Sequence, residues 1–259
     1  MTYTSHSRWP NISLARNLPK IGDRNSSMNE ISHDFVRFDE IRLENYGIFS
    51  GSNSFVFDRR RTVIFGNNGS GKTTLFNALV RLGPDPAIRP NMYSDTRFPL
   101  VQVMTSGNRD LVAQYRKLIF LDGESTMILA ADFDKSAYDL SFGKSTGDLE
   151  RAAWEIFIRF REFIPPEFST YRDLADSGFC AMGEITCYGY ALVFAARSIL
   201  NIDLPLVLDT PFGCLDEQSR EVIGDYLDSL SGQQIMLISP FQSPGYVVNY
   251  RLPRSRSAS

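Results

Sequence analysis

The chain has 259 residues, 43% hydrophobic and 22% charged, which suits one globular domain with a sheet-based core. A net charge of −3 and an isoelectric point near 5.5 argue against a broad nucleic-acid surface, so any such contact would rest on local basic clusters. Cys180, Cys187 and Cys214 have no histidine near them, which excludes a zinc site and fits a reducing cytoplasm, and no apolar run approaches the ~20 residues that span a bilayer.

Residues 1–33 read as a disordered leader: in the first 27, Arg8, Arg16, Lys20 and Arg24 are set against one acid, Asp23, with no persistent periodicity. A transit-like peptide and a non-native leader ahead of Met28 are the competing readings. Residues 34–251 read as a single α/β domain in which apolar strands alternate with helical patterns. "FVRFDEIRLENYGIF" and "NSFVF" predict N-terminal antiparallel strands, "TVIFG" a short buried strand, and Gly71–Leu82 a helix. Asp85–Phe98 reads as a loop, and "LVQV" and "KLIFL" as strands of a lobe beside it. Leu149, Ala153, Ile156, Phe160 and Phe163 make one helical stripe, ended by Pro165-Pro166, and the apolar helix Glu184–Leu200 is expected to be buried. The strand "LPLVLD", a helix over Glu217–Leu230, and the strands "QIMLIS" and "YVVNYR" follow, and 252–259 reads as a short basic, Ser-rich tail.

Two stretches carry chemistry. "TVIFGNNGSGKTTL" matches G-x-x-x-x-G-K-[ST] between a strand and a helix, the spacing of a P-loop. Gly66, Gly69 and Gly71 let the backbone of Gly66, Asn67, Asn68, Gly69, Ser70, Gly71, Lys72, Thr73 and Thr74 curl so that N–H groups face phosphate oxygens. The helix N-terminus adds its positive dipole. Lys72 is placed to reach the terminal phosphates of ATP, and the Thr73 hydroxyl to ligate Mg²⁺. "LPLVLDTPFGCLD" ends a buried strand on Asp209, a second hold on that ion. Hydrolytic versions place a glutamate next, and here Thr210 stands there, a residue unable to serve as a carboxylate base. Glu124, Asp216 and Glu184 are the other carboxylates available, with Glu124 the preferred substitute.

Three further stretches carry a resemblance. "IRLENYGIF" resembles the I-x-L-x-N-[FY] opening of ABC-type, AAA-class ATPase heads in the SMC/RecF group. "AMGEITCYGYALVFAARSIL" looks like that group's signature loop and helix, and "DTPFGCLDEQSR" like its strand-end aspartate and D-loop. The likeness implies a P-loop NTPase with an ABC-type head: a mixed sheet flanked by helices, N-terminal antiparallel strands and a small helical signature lobe over about residues 123–183. It also implies two heads closing face to face on ATP, as a homodimer or heterodimer, with Gly183 and Glu184 capping the partner's γ-phosphate and Asp216 linking the two sites. "LIFLDGE" and the "DTP" stretch are similar to compact, DndD-like ATPases of phage defence, which assigns the metal- or water-sensing position to Asp122 rather than Gln102.

The chain departs from the group in places. Cys180 and Ala181 stand where the signature has Leu-Ser, Ser239-Pro240 replaces the switch histidine, and the stretch from Lys72 to Gly183 is too short for the group's long coiled coil. The resemblance implies a cytoplasmic, slowly hydrolysing ATPase of DNA repair, recombination or phage defence, with double-stranded DNA and an effector nuclease as partners and no membrane. A nonhydrolytic ATP-sensing scaffold is the alternative, and a transporter motor subunit a third reading. Support for DNA contact is confined to "DRRRT" and "NRDLVAQYRK".

Overall fold

The computed structural model describes residues 35–57, 59–88, 99–133, 146–161, 164–230, 232–240 and 247–252. The leader, the tail beyond Leu252, most of the loop expected up to Phe98, Phe163 and residues 241–246 lie outside the described residues.

Two sheets form the core. β1 (Val36–Tyr46) pairs antiparallel with β2 (Phe49–Val56) on one side and β4 (Leu100–Gly107) on the other. Alternation puts Val36 and Phe38 inside, and then Ile41 and Leu43, a switch of parity. The register with β4 shifts between Phe38 and Glu40, the extra residue of a β-bulge that restores the apolar face to the core. Beside the bulge, buried Gln234 accepts from the Phe38 N–H through Oε1 (2.9 Å) and donates to the Phe38 carbonyl through Nε2 (2.7 Å).

The second sheet is parallel, in the order β5 (Phe120–Asp122), β6 (Leu206–Asp209), β7 (Ile235–Ser239), β3 (Arg61–Phe65), β8 (Tyr250–Arg251). Its central strands β6 and β7 are buried throughout and apolar up to their last residues, Asp209 and Ser239, as a sheet covered on both faces requires. The "LVQV" strand thus lies in the antiparallel sheet rather than in a lobe. "KLIFL" divides between α3 (Arg116–Ile119), which follows α2 (Asp110–Gln114), and β5, which joins the parallel sheet. A short apolar run carries no periodicity to separate helix from strand, and the pairing of β5 with β6 decides the matter.

α1 (Lys72–Arg81) follows β3, and α4 (Gly123–Ala131) follows β5 with the Asp122 side chain accepting from Ser125 N as its N-cap. α5 (Thr146–Phe160) buries Leu149, Ala153, Ile156 and Phe160 along one stripe. α6 (Tyr171–Asp176) carries a capping box between Thr170 and Asp173. α7 (Met182–Leu200) is the central helix of this side: from Thr186 to Arg197 every residue is buried. It meets α5 through Phe157–Tyr188 and Phe160–Phe194, and Tyr171 stacks on Tyr188 at 3.6 Å. Against α4 the contact is closer still. A Cβ at Gly189 would fall 2.3 Å from the Thr126 carbonyl oxygen, so only glycine lets the two backbones approach this way. α8 (Glu217–Ser229) connects β6 to β7. Among the described residues, no helix is long and apolar enough to cross a membrane.

Candidate functional site

The site collects at the carboxyl ends of β3, β5, β6 and β7, where open parallel sheets bind ligands. β3 ends at Phe65, and Gly66 N donates to Ser239 O at the end of β7, which fixes where the loop departs. Gly69 (φ 79°) and Gly71 (φ 91°) take the left-handed conformation that turns successive N–H groups inward, and Gly71 is also the N-cap of α1. A Cβ at Gly66 would lie 2.1 Å from Ser70 Oγ, so the loop closes on itself only with hydrogen at that position. Ser70 is fully buried, and its hydroxyl has no hydrogen-bond partner among the described residues. Lys72, 7% exposed, donates through Nζ to the carbonyls of Gly66 and Asn67, both at 2.8 Å. Burial holds its ammonium below the usual lysine range, with Asp209 partly offsetting that.

β7 lies between β3 and β6, so two strand spacings, about 10 Å, separate the loop's strand from that of Asp209. The loop and first turn of α1 bridge the gap: Thr73 Oγ1 donates to Asp209 Oδ2 at 3.2 Å. Thr210 Oγ1 donates to the other oxygen, Oδ1, at 3.2 Å. Burial raises the Asp209 pKa above the ordinary carboxylate range, and the two threonine hydrogen bonds oppose the rise. Asp122 is in register with Asp209 across β5 and β6, so both acids stand at the same edge. Two carboxylates and a hydroxyl are a hard-oxygen set that suits Mg²⁺ shared with a triphosphate. Among the described residues no group of three or more acids, histidines or cysteines forms a metal cage by itself. The inward amides, the unpartnered Ser70 hydroxyl and the buried lysine fit a polyphosphate, and the oxygen donors fit its metal.

Thr210 is held at φ 53°, a left-handed conformation costly for a β-branched residue. Its N–H donates to Ile238 O at 2.7 Å, and the next carbonyl, Pro211 O, accepts from the fully buried Tyr190 hydroxyl at 2.8 Å. Glu124 sits exposed in the first turn of α4, next to Gly123 and two residues beyond Asp122.

A second cluster lies at the N-terminus of α7. Ala181 is the N-cap and offers no side-chain acceptor; Glu184 Oε2 accepts from Ala181 N at 3.1 Å, half of a capping box. Glu184 Oε1 pairs with Arg161 Nη2 at 2.6 Å, while Arg161 Nη1 donates to Ser219 Oγ (2.8 Å) and Asp216 Oδ2 (3.3 Å). Asp216 Oδ1 accepts from Ser219 N and caps α8. That backbone bond, with Arg161 beside it, holds the Asp216 pKa below the ordinary range. Gly183 stands between exposed Met182 and Glu184, and Phe179, 66% exposed, flanks the same turn. Arg161 was not among the residues singled out from the sequence. Nothing in its spacing marks it, since its two acidic partners lie 23 and 55 residues away.

The comparisons with known proteins agree with this geometry. A family model described as an AAA domain matches residues 40–138. No curated protein matches the sequence. Among solved structures, the SMC head domain from Thermotoga maritima aligns with a TM-score of 0.50 at 16% identity, covering 78% of this chain and 89% of that one. An Smc head bound to the C-terminal winged-helix domain of ScpA aligns at 0.55 and 15%, covering 79% and 90%. An Smc head with an extended coiled coil, bound to the C-terminal domain of ScpA derived from Pyrococcus furiosus, aligns at 0.52 and 12%, over 79% and 90%. The chain has the fold of an SMC head domain. Within this head, the cradle at Gly66–Thr73 and the acid at Asp209 form one wall, and the turn at Gly183 with Asp216 forms another surface, tied together by Arg161.

Proposed function

We propose that this head binds Mg·ATP between the Gly66–Thr73 loop and Asp209, hydrolyses it slowly, and pairs with a second head when ATP is bound. The observation that carries the reading is the 3.2 Å contact of Thr73 with Asp209, which brings the loop hydroxyl and the strand-end carboxylate to one point. In this reading Gly66, Asn67, Asn68, Gly69, Ser70, Gly71 and Thr74 contribute backbone and hydroxyl donors, Lys72 compensates phosphate charge, and Thr73, Asp209 and Asp122 hold the metal. Bound Mg²⁺ supplies charge compensation on the phosphate oxygens. Gly183 and Glu184 face the partner's nucleotide, Asp216 links the two sites, and the exposed Phe179 and Met182 supply apolar area to the paired surface. Glu124 is the carboxylate assigned to orient water, because it lies two residues beyond Asp122 on the rim of the site.

The working setting proposed is the cytoplasm, in DNA repair, recombination or phage defence, with duplex DNA or an effector nuclease gated by the dimer. The similarity of "LIFLDGE" to DndD-like defence ATPases supports the defence branch. Arg59 and Arg60 are exposed, but Arg61 pairs with Asp228 and donates to carbonyls of α8, so part of that basic run serves the fold. One observation favours a second reading, a nonhydrolytic ATP switch: Thr210 spends its hydroxyl on Asp209 and carries no base.

Calorimetry with Mg·ATP, beside Lys72→Ala, tests binding, and phosphate release tests turnover. Wild-type uptake lost in the variant is expected; uptake in neither, or equally in both, would overturn the binding claim. Thr210→Glu is expected to raise turnover by about 10²-fold or more if the missing base is what limits the rate.

A further inference from the structure

The basic stretch "NRDLVAQYRK" leads into a cavity that the nucleotide reading leaves unused. β5 is a three-residue edge strand, and α1 packs toward β6 and β7 while α4 turns onto α7, so a wedge between α1 and α4 stays open at the sheet edge. The cavity holds about 370 Å³. That is room for on the order of a dozen waters, and it lies within the range of small-molecule sites. Its walls are mainly apolar: Phe76 and Val80 from α1, Phe120 from β5 and Leu129 from α4, with Ile128, 56% exposed, at its opening. Phe76 and Phe120 meet edge to face at 6.0 Å, which gives the floor a fixed shape.

Charge in the lining is unevenly placed. Arg116 and Lys117, both exposed, begin the segment that runs through α3 and β5 along the floor, and Asp122 ends it. Arg116 forms no ion pair with a described residue, so its guanidinium is available for a planar anion. At the other end, beside Asp122, Asn77 offers a hydrogen-bonding amide.

We propose that this cavity is a binding site for a small organic anion: an apolar, ring-sized body between Phe76, Val80 and Leu129, a carboxylate, sulfonate or phosphate on Arg116, and a neutral hydrogen-bonding group toward Asn77. The site meets the metal position at Asp122 and lies otherwise outside the cradle. Asn77 lies one helical turn beyond Thr73 on α1, and Asp122 is the register partner of Asp209, so an occupant bears on the elements that carry both.

The test uses the full chain and 1-anilinonaphthalene-8-sulfonate, an apolar fluorophore with one sulfonate, with calorimetry for stoichiometry. Saturable binding of one molecule per chain is expected, persisting at saturating Mg·ATP and in Lys72→Ala. Arg116→Glu should weaken it at least tenfold, and Val80→Trp, which fills the cavity, should abolish it. Ile128→Trp, at a position already half in solvent, narrows the opening and should weaken binding even where Val80→Trp fails to fold. Circular dichroism and Mg·ATP binding should be unchanged in Arg116→Glu and Ile128→Trp. Absence of one-to-one binding, or binding indifferent to Arg116→Glu and to the cavity-filling variants, overturns the site. Displacement of the fluorophore by Mg·ATP would put it in the cradle and overturns the site equally. Because Lys72→Ala removes nucleotide and not fluorophore, failure of the ATP reading and failure of this one remain distinguishable.

Discussion

The wall at Gly66–Thr73 and the surface at Gly183–Asp216 are built on opposite principles. The first is made of backbone: glycines at positive φ, amides turned inward, and a lysine that holds the loop's own carbonyls at 2.8 Å. The second is made of charged side chains, one guanidinium just past α5 reaching Glu184 of α7 and both Asp216 and Ser219 at the start of α8. A backbone cradle must be continuous in sequence, whereas a side-chain junction can draw its members from anywhere that packs nearby. The first therefore tolerates almost no change of residue type, whereas the second keeps its position although Ala181, the N-cap of α7, offers no side-chain acceptor.

The largest expected effect breaks the first region alone. Lys72→Ala should weaken Mg·ATP by about 100-fold or more, since a buried charge-assisted partner of the phosphates is removed. Urea unfolding of the nucleotide-free protein should change far less, and calorimetry beside denaturation separates the two effects. Next comes the packing of α7, which carries part of the second region, on α4. Gly189→Ala drives a methyl group onto the Thr126 carbonyl and should cost about 2 kcal/mol in urea unfolding. Smaller again, Arg161→Met should cost about 1–2 kcal/mol, because the acids it leaves are partly solvated. The informative readout is split: monomer affinity for Mg·ATP should stay put while ATP-dependent pairing, followed by light scattering, declines. The smallest effect is in pH. The folded Asp216 pKa is depressed, so its contribution to stability is present above the unfolded value near 3.8 and fades as pH falls through the lower folded value. Arg161→Met should shrink that acid-side loss without touching behaviour at neutral pH, as pH-jump unfolding would register.

Much of the first region was legible before any coordinates, because its chemistry forces a spacing: glycine, lysine and threonine at fixed offsets after an apolar strand. Asp209 was legible for a similar reason, as an acid ending a buried apolar run. The parallel core also followed from the apolar strands. What escaped notice depends on tertiary choice. "LVQV" joins β1 rather than a lobe because the edge of β1 was open to it, and "KLIFL" splits because its last residues pair with β6. α6 is only six residues long, too short for a helical stripe to declare itself. Arg161 was invisible because an ion pair across 55 residues leaves no periodic trace. The left-handed φ at Thr210 was also unreadable: the substitution for glutamate stood in the sequence, but not the backbone strain that accompanies it.

Gln234 sits where β1 interrupts its ladder with β4, and its amide group bonds both sides of the Phe38 peptide beside the bulge. The antiparallel layer is therefore stitched through the Phe38 peptide to β7, a central strand of the other layer. Deuterium uptake at that amide should consequently follow opening of the parallel core, even though the residue itself belongs to the smaller sheet.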